Sequence, residues 1–251
     1  MDLGGLFRST DLDIRLEDRN TFRFLTDKDR NLSLGDEYAF IVLTDTHIKE
    51  GNAYGFENLA SVIDKDVAFA VVMGDITQNG QRQDLQKFID IAGTLGVPCY
   101  PVLGNHDIYF NNWPVWRDLI GSSSYRINGS NTTLFILDSA NTFFGKFQLD
   151  RLDQELKTAA PHVFVFTHAN LFVKSIEDQQ QLTDIRERAR IMSLLEGRCE
   201  AMFMGHVHKR IIKTRGGVQY ITIEDFRSTK IYCRVQVSPK GLTYTFKKLG
   251  D

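Results

Sequence analysis

The chain has 251 residues, of which 42% are apolar and 25% are charged, a composition typical of a globular protein with a sizeable core. Lysine and arginine residues number 30 and aspartate and glutamate residues number 32, so the formal net charge is -2. Because such a chain has no excess positive charge to attract polyanions, a nucleic-acid partner is disfavoured. The cysteines Cys99, Cys199 and Cys233 are widely spaced and form no C-x-x-C pair, which predicts buried apolar roles rather than a disulfide framework.

The sequence also bears on membranes and compartment. It contains no run of about 18 apolar residues, and residues 1–20 lack the apolar region of a signal peptide. We therefore predict a cytoplasmic protein without a membrane segment. The glycosylation pattern occurs at Asn31, Asn128 and Asn131, but it matters only in a secreted protein. A trimmed exported protein is the alternative.

Six short runs rich in Val, Ile and Phe have the length of buried strands. They lie at 38–43, 68–73, 99–103, 134–137, 163–166 and 201–204. Apolar residues at helical spacing occur between several of these runs, at 56–65, 84–95 and 148–158. This alternation predicts βαβ units around a largely parallel sheet, and hence an α/β fold.

The pattern changes in the last third of the chain. The charged segment 179–196 carries apolar residues at helical spacing, which predicts a surface helix with one buried stripe. Its stripe residues are Leu182, Ile185, Ala189, Met192 and Leu195. After His208, the runs 209–215, 218–223 and 231–237 predict an antiparallel meander with a turn at Gly216-Gly217. We expect a second sheet that packs on the first.

The domain organisation is simple. We find no internal repeat, low-complexity tract or Pro/Gly linker that would mark a domain boundary. Residues 36–251 are therefore predicted to form a single domain. The first 35 residues are predicted to be a loosely docked N-terminal arm.

Polar residues able to bind metal follow five of the predicted strands. They are Asp45-Thr46-His47, Gly74-Asp75, Gly104-Asn105-His106-Asp107, Thr167-His168 and Gly205-His206-Val207-His208. In an open α/β sheet, ligands bind in the crevice beyond the carboxyl ends of the strands, because the loops converge there. The sequence therefore predicts that five strand ends deliver these side chains to one site.

The residue types suit a metal centre. Carboxylate, imidazole and amide ligands are appropriate for Mn, Fe, Zn, Co or Ni ions. A spacing of two, as in Asp45-x-His47, places both side chains on one side of an extended segment. Glycines 74, 104 and 205 are predicted to adopt positive φ and to let the backbone approach the ions closely.

Each motif must be weighed against an ordinary structural role. An Asp or His after a strand is most often a turn or cap residue, so Asp-x-His or Gly-Asp alone is weak evidence. Gly-Asn-His-Asp directly after an apolar run, together with Gly-His-x-His, rarely arises by chance. Five of the six histidines lie in these motifs. The sixth, His162, is predicted to lie partly exposed at the start of a strand.

This ordered set of motifs resembles the calcineurin-like metallophosphoesterase superfamily over residues 38–208. The resemblance implies a four-layer α/β/β/α sandwich, with two mixed sheets flanked by helices and a dinuclear metal site. It implies that Asp45, His47 and His208 hold one ion, that Asn105, His168 and His206 hold the other, and that Asp75 bridges them. His106 would be the catalytic histidine that binds no metal. The segment 74–80 is most similar to small bacterial phosphodiesterases of the cyclic-nucleotide type.

The resemblance leads to a hypothesis about mechanism and substrate. A hydroxide that bridges two divalent or mixed-valence ions would attack phosphorus in line, with His106 as general acid and Asp107 orienting its ring. The alternative for Asp107 is an N-cap for the helix near Trp113. Substrate contacts are predicted for Asn105, His106, His168 and Trp113. The indoles of Trp113 and Trp116 are expected near the mouth of the pocket, and the alternative for Trp116 is a position in the core.

The substrate class stays open at this point. We expect hydrolysis of a small-molecule phosphoester, with a phosphodiesterase favoured and a phosphomonoesterase as the alternative. A DNA nuclease needs a basic groove, which the composition does not indicate. A catalytically inactive, metal-stabilised scaffold would have lost the histidines that this chain retains. Gln78, Asn79, Arg82 and Asn170 could contact the phosphate or be solvated loop residues.

Overall fold

The structure is a computed structural model that describes residues 15–16, 31–172 and 184–250. Its strands form a seven-stranded sheet of order β1-β5-β6-β7-β8-β10-β9 and a five-stranded sheet of order β12-β11-β2-β3-β4. The strands are β1 (Asn31–Leu32), β2 (Tyr38–Leu43), β3 (Val67–Met73), β4 (Cys99–Val102), β5 (Tyr125–Gly129), β6 (Thr132–Leu137), β7 (His162–Thr167), β8 (Ala201–Met204), β9 (Ile211–Arg215), β10 (Val218–Thr222), β11 (Ile231–Ser238) and β12 (Gly241–Lys248).

Helices connect the strands and cover the outer faces of both sheets. The α-helices of the described residues are α1 (Arg82–Gly93), α2 (Trp113–Leu119), α3 (Lys146–Glu155), α4 (Ile185–Leu195) and α5 (Phe226–Thr229). Three 3₁₀ helices lie at Phe56–Val62, His106–Asn111 and Leu156–Thr158.

Three apolar clusters define the layers. The middle cluster joins the inner faces of the two sheets and includes Phe40, Phe69, Phe164, Phe166 and Phe203. A second cluster packs α1 and α2 on the five-stranded sheet, and a third packs α3 and α4 on the seven-stranded sheet. Both faces of β2 are buried because its residues alternate between the first two clusters. The molecule is therefore a four-layer α/β/β/α sandwich, which confirms the predicted fold class.

The parallel strands place the important loops at neighbouring positions. β2, β3 and β4 run parallel to one another in the five-stranded sheet, and so do β6, β7, β8 and β10 in the other sheet. All six predicted strands are present. The predicted meander is wrong as a single unit, because β9 and β10 form a hairpin in the larger sheet while β11 and β12 join the smaller one. β11 pairs with β2, which is a buried neighbour far away in sequence.

Other segments differ in detail from the sequence-based expectations. Helix α4 occupies residues 185–195 of the predicted surface helix, and residues 179–183 lie outside the described residues. The predicted helix at 56–65 is a 3₁₀ helix. The helix expected near Trp113 is present as α2. Strands β1, β5 and β12 were not predicted; β12 alternates half-buried and exposed residues and so lacks a continuous apolar run. His162 starts β7 half-buried beside Glu200, as predicted.

Part of the predicted N-terminal arm can be described. Asn31–Leu32 is β1 and pairs with β5 at the edge of the seven-stranded sheet. Arg15 is 1% exposed and its Nε lies 3.3 Å from Asp138 Oδ2. The rest of the arm lies outside the described residues.

The structure also bears on the predicted burial of the cysteines and on the predicted absence of a membrane segment. Cys199 and Cys233 are buried and Cys99 is half-buried, and all three are free thiols. Burial raises the pKa of the Cys99 thiol and that of the Cys233 thiol to about 12. Among the described residues, no helix combines the length and the apolar character that a membrane span requires.

Candidate metal centre

The predicted metal ligands meet at the carboxyl ends of β2, β3, β4, β7 and β8. Three groups of side chains each bring their ligand atoms within 4.8 Å of one another. The groups are Asp45-His47-His208, His47-Asp75-His106 and Asp75-His168-His206. Asn105 precedes His106 on the same loop. The sequence thus identified a set of residues that the fold does bring together.

The first group is centred on Asp45, which is fully buried. Its Oδ2 accepts hydrogen bonds from Thr44 Oγ1 at 2.6 Å and from the backbone N–H of His206 at 3.1 Å. Its Oδ1 faces two imidazoles, with His208 Nε2 at 3.2 Å and His47 Nε2 at 3.8 Å. One carboxylate oxygen is therefore held by the scaffold and the other is presented to the cluster.

Asp75 repeats this arrangement in the second group. Its Oδ1 accepts from the backbone N–H of His106 at 2.9 Å, while its Oδ2 lies 3.3 Å from His168 Nε2 and 3.9 Å from His106 Nε2. His168 is oriented by Nδ1, which lies 2.8 Å from the carbonyl of Met73. The Nδ1 of His206 lies 2.9 Å from His168 Nε2.

Several buried polar atoms at the site have no hydrogen-bond partner within the described residues. They are both ring nitrogens of His47, Oδ1 of Asn105 and Nε2 of His206. Leaving such groups unpaired costs free energy, so buried polar atoms in proteins are almost always satisfied. Imidazole nitrogens and an amide oxygen around two carboxylates form a donor set that suits divalent transition metals. The residues therefore fit a metal centre.

The backbone of the site is strained at the ligands themselves. Positive φ occurs at five of them, with Asp45 at 56°, His47 at 47°, Asp75 at 47°, His206 at 73° and His208 at 53°. Such conformations are uncommon for residues other than glycine and cluster at functional sites. The Asp-x-His and His-x-His pairs are therefore not extended segments, and our explanation of their spacing was wrong. Tight turns, not strand alternation, direct each pair to the centre.

The glycines before the ligands matter mainly for space. Of Gly74, Gly104 and Gly205, only Gly74 has positive φ, at 79°. A Cβ on Gly104 would lie 2.0 Å from the backbone nitrogen of Asp75, and one on Gly205 would lie 2.0 Å from Thr44 Oγ1. These two positions are glycine because neighbouring protein atoms leave no room for a Cβ, and the predicted positive φ is absent there.

The buried charges influence one another strongly. Burial alone would raise the pKa of Asp75, but the adjacent His168 holds that pKa well below its usual range. Burial would lower the pKa of His168, but the charge of Asp75 and its hydrogen bond raise it to about 9. Burial, together with the positive charge of His168, lowers the pKa of His206 to about 4. Both carboxylates are thus held ionised, as cation ligands must be.

Asp107 has a different role from either of those we predicted. It is 1% exposed, and its oxygens accept from the backbone N–H groups of Thr77 at 2.8 Å, Gly104 at 3.0 Å and Ile76 at 3.3 Å. Burial and the charge of Asp75 raise its pKa to about 7. It does not cap α2, because the residue before that helix is Asn112. Asp107 joins the loop that carries Asp75 to the loop that carries His106.

The His106 ring is oriented by Gln78 instead. His106 Nδ1 lies 2.8 Å from the carbonyl oxygen of Gln78. Nδ1 also lies 3.3 Å from Gln78 Nε2, but the carbonyl contact is shorter and a carbonyl only accepts, so we assign the proton to Nδ1. Nε2 then faces the centre, 3.9 Å from Asp75 Oδ2. The predicted orienting partner was wrong because a main-chain carbonyl has no sequence signature.

The predicted contact of Trp113 with substrate is also wrong. Trp113 is 2% exposed and Trp116 is 0% exposed, and both pack in the cluster below the five-stranded sheet. The aromatic rings near the site are those of Tyr109, whose centroid lies 4.4 Å from that of His106, and of Phe110, which is 56% exposed.

Of the other polar residues named in the sequence analysis, two have partners away from the site and one lies at it. Arg82 is exposed and pairs with Asp118, and the side chain of Asn170 is buried in hydrogen bonds to Phe172 and Thr222. Gln78 does lie at the site. Sequence reasoning missed Arg227 and Tyr54, which lie at its rim with no motif to mark them.

Comparisons with known proteins agree with this centre. A family model described as Calcineurin-like phosphoesterase matches residues 38–210. A protein of Fibrobacter succinogenes named as a probable cyclic nucleotide phosphodiesterase is 24% identical over 197 residues, which are 75% of this chain and 75% of that protein.

Two further likenesses are informative. The serine/threonine-protein phosphatase CPPED1 of Rattus norvegicus is 25% identical over 217 residues, covering 69% of this chain but only 62% of that protein. The crystal structure of a dimetal phosphatase from Danio rerio has a TM-score of 0.66 and 14% identity, covering 85% of this chain and 99% of that one. At this identity the structural likeness shows a shared fold.

The close packing at Gly205 generates a prediction. We expect Gly205→Ala to lower both thermal stability and metal affinity, because the new Cβ would collide with Thr44 Oγ1 and lie 2.9 Å from Asp45 Oδ2. Thermal melting and metal titration would measure the two effects. Gly93→Ala is the control, since its Cβ would meet nothing within 4 Å. Equal behaviour of the two variants would contradict the packing argument.

Proposed function

The chain belongs to the calcineurin-like phosphoesterase family and is a metal-dependent phosphoester hydrolase, and we propose that it is a phosphodiesterase acting with two metal ions. The observation that carries the proposal is the position of Asp75, which belongs to two of the three ligand groups. A carboxylate shared in this way is suited to bridge two cations. The likeness to a probable cyclic nucleotide phosphodiesterase supports a diester substrate.

We assign the ligands in two sets. Asp45, His47 and His208 would hold one ion, Asn105, His168 and His206 would hold the other, and Asp75 would bridge them. Mn, Fe, Zn, Co or Ni would suit these donors. When bound, two such ions supply an activated water as nucleophile and clamp the phosphoryl oxygens.

The residues of the chain supply proton transfer and orientation. With its Nδ1 proton held by the Gln78 carbonyl, His106 can carry a second proton on Nε2 and donate it to the departing oxygen. Nε2 lies 3.9 Å from Asp75 Oδ2, which places the acid beside the proposed bridge. Asn105 and His168 stay assigned as substrate contacts from the centre itself.

A phosphomonoesterase is the second candidate, favoured by the likeness to the CPPED1 phosphatase. Hydrolysis of bis-p-nitrophenyl phosphate, p-nitrophenyl phosphate and cyclic nucleotides, each with several metals, would distinguish the two. We expect the highest kcat/KM with a diester. A preference for the monoester would replace our proposal with the second candidate, salt-sensitive DNA cleavage would indicate a nuclease, and no turnover with any metal would indicate a scaffold.

The bridging role of Asp75 can be tested by metal analysis. We expect Asp75→Asn to lose both ions on dialysis, because the shared ligand loses its charge. The matched control is Asp64→Asn, which changes an exposed carboxylate at the opposite side of the molecule from the ligand loops. Retention of two ions with native affinity in Asp75→Asn would disprove the bridge.

The general-acid role of His106 predicts a dependence on the leaving group. We expect His106→Asn to lower kcat by about 10² to 10⁴-fold for an alkyl ester, since a poor leaving group needs a proton. The loss should be much smaller for a nitrophenyl ester, and metal content should not change. An equal loss with both esters would remove His106 from proton transfer.

A further inference from the structure

Arg227 lies at the rim of the metal centre, in the short helix α5. Its backbone N–H donates to the carbonyl of Asp45 at 3.1 Å, and the N–H of Phe226 donates to the carbonyl of Thr44 at 2.9 Å. Asp225 caps the same turn by accepting from the N–H of Ser228. These bonds attach α5 to the turn that carries the first ligand.

The side chain of Arg227 contacts one residue from each of two loops, Gln78 and Tyr54. Its Nη1 donates to Gln78 Oε1 at 2.9 Å, and its guanidinium carbon lies 4.7 Å from the ring centroid of Tyr54. Gln78 follows the Asp75 turn and contacts His106 through its carbonyl, and Tyr54 lies in the loop after His47. The guanidinium therefore lies on a rim to which two ligand-bearing loops contribute, the loop of Asp45 and His47 and the loop of Asp75.

The charge of Arg227 has no counter-ion in the part of the chain that the structure describes. Its two side-chain partners are an amide oxygen and an aromatic ring, neither of which carries a negative charge. Arg126, Arg210 and Arg234, by contrast, each pair with a carboxylate. A guanidinium that is half-buried, held in place and not neutralised is suited to bind an anion through its planar fork of donors.

We propose that Arg227 binds a nonbridging phosphoryl oxygen of the substrate and so determines affinity for the phosphoester. This inference rests on the proposed function of the site. The remaining N–H donors of the guanidinium would approach the phosphoryl group from the side of His106, while Gln78 and Tyr54 hold the side chain ready. The reaction itself still depends on the ligands and on His106.

Arg227 could instead act only through Gln78, as a positioning residue for His106. The two roles predict different measurements. A phosphate-binding residue affects KM and the affinity for inorganic phosphate, because both depend on contact with the anion. A positioning residue affects kcat for poor leaving groups and leaves phosphate affinity unchanged.

The test uses the metal-loaded full chain and inorganic phosphate as the probe. We expect Arg227→Gln to weaken phosphate binding about 10- to 100-fold, the effect of losing a hydrogen bond to a charged group. The KM for the preferred ester should rise by a similar factor while metal content is unchanged. Arg227→Lys should lose less than Arg227→Gln, because it keeps the charge without the fork. Calorimetric titration and steady-state kinetics would measure these changes.

The control is Arg234→Gln. Arg234 lies on β11 and its guanidinium pairs with Asp66, so its removal should leave phosphate affinity unchanged. Phosphate affinity equal to that of the parent chain in both Arg227 variants would overturn the proposal, as would a loss in Arg227→Gln that is confined to kcat for poor leaving groups. Failure of the proposed function is a separate result, since the parent chain would then prefer a monoester or turn over no phosphoester at all. Phosphate binding to the parent chain tests Arg227 even in that case.

Discussion

The structure depends on burying two carboxylates, Asp45 and Asp75, at the junction of the two sheets. Removing an ionised carboxylate from water costs several kcal/mol unless charge and hydrogen bonds compensate. Each carboxylate uses one oxygen to accept a backbone N–H and turns the other toward imidazoles. Because neighbouring imidazoles hold both carboxylates ionised, the centre is suited to bind cations.

The sandwich makes this burial possible because it fixes the loops from both sides. Phe40 on β2 stacks on Phe69 of β3 and contacts Phe164 and Phe203 of the opposite sheet, directly below the ligand-bearing ends. A rigid apolar layer of this kind can hold strained turns, which cost about 1–3 kcal/mol each. The positive φ values of the five ligands are therefore sustained by packing that lies outside the site.

The sequence predicted the parts of this arrangement that depend on residue type and order. The apolar runs predicted β2, β3, β4, β7 and β8, and the ligand set followed from the residues after them. The orientation of His106 and the place of Arg227 could not be predicted, because they depend on a main-chain carbonyl and on a short helix attached to the Thr44-Asp45 turn by backbone hydrogen bonds. Trp113 was misassigned since proximity in sequence to a catalytic loop says nothing about which face of a helix is buried. The extended geometry of Asp45-x-His47 failed because strand alternation ends where the turn begins.

Asp107 illustrates how support and chemistry are divided at the site. Its carboxylate ties Ile76 and Thr77, which follow the proposed bridging ligand, to Gly104, which precedes the proposed acid. The distance between Asp75 and His106 is therefore set by Asp107 together with the hydrogen bond from the His106 backbone N–H to Asp75 Oδ1. Gly80 closes over it, since a Cβ there would lie 2.4 Å from the carbonyl of Asp107. The proposed acid and the proposed bridge are thus held in register by hydrogen bonds between loops, while the Gln78 carbonyl and the ring of Tyr109 contact the imidazole.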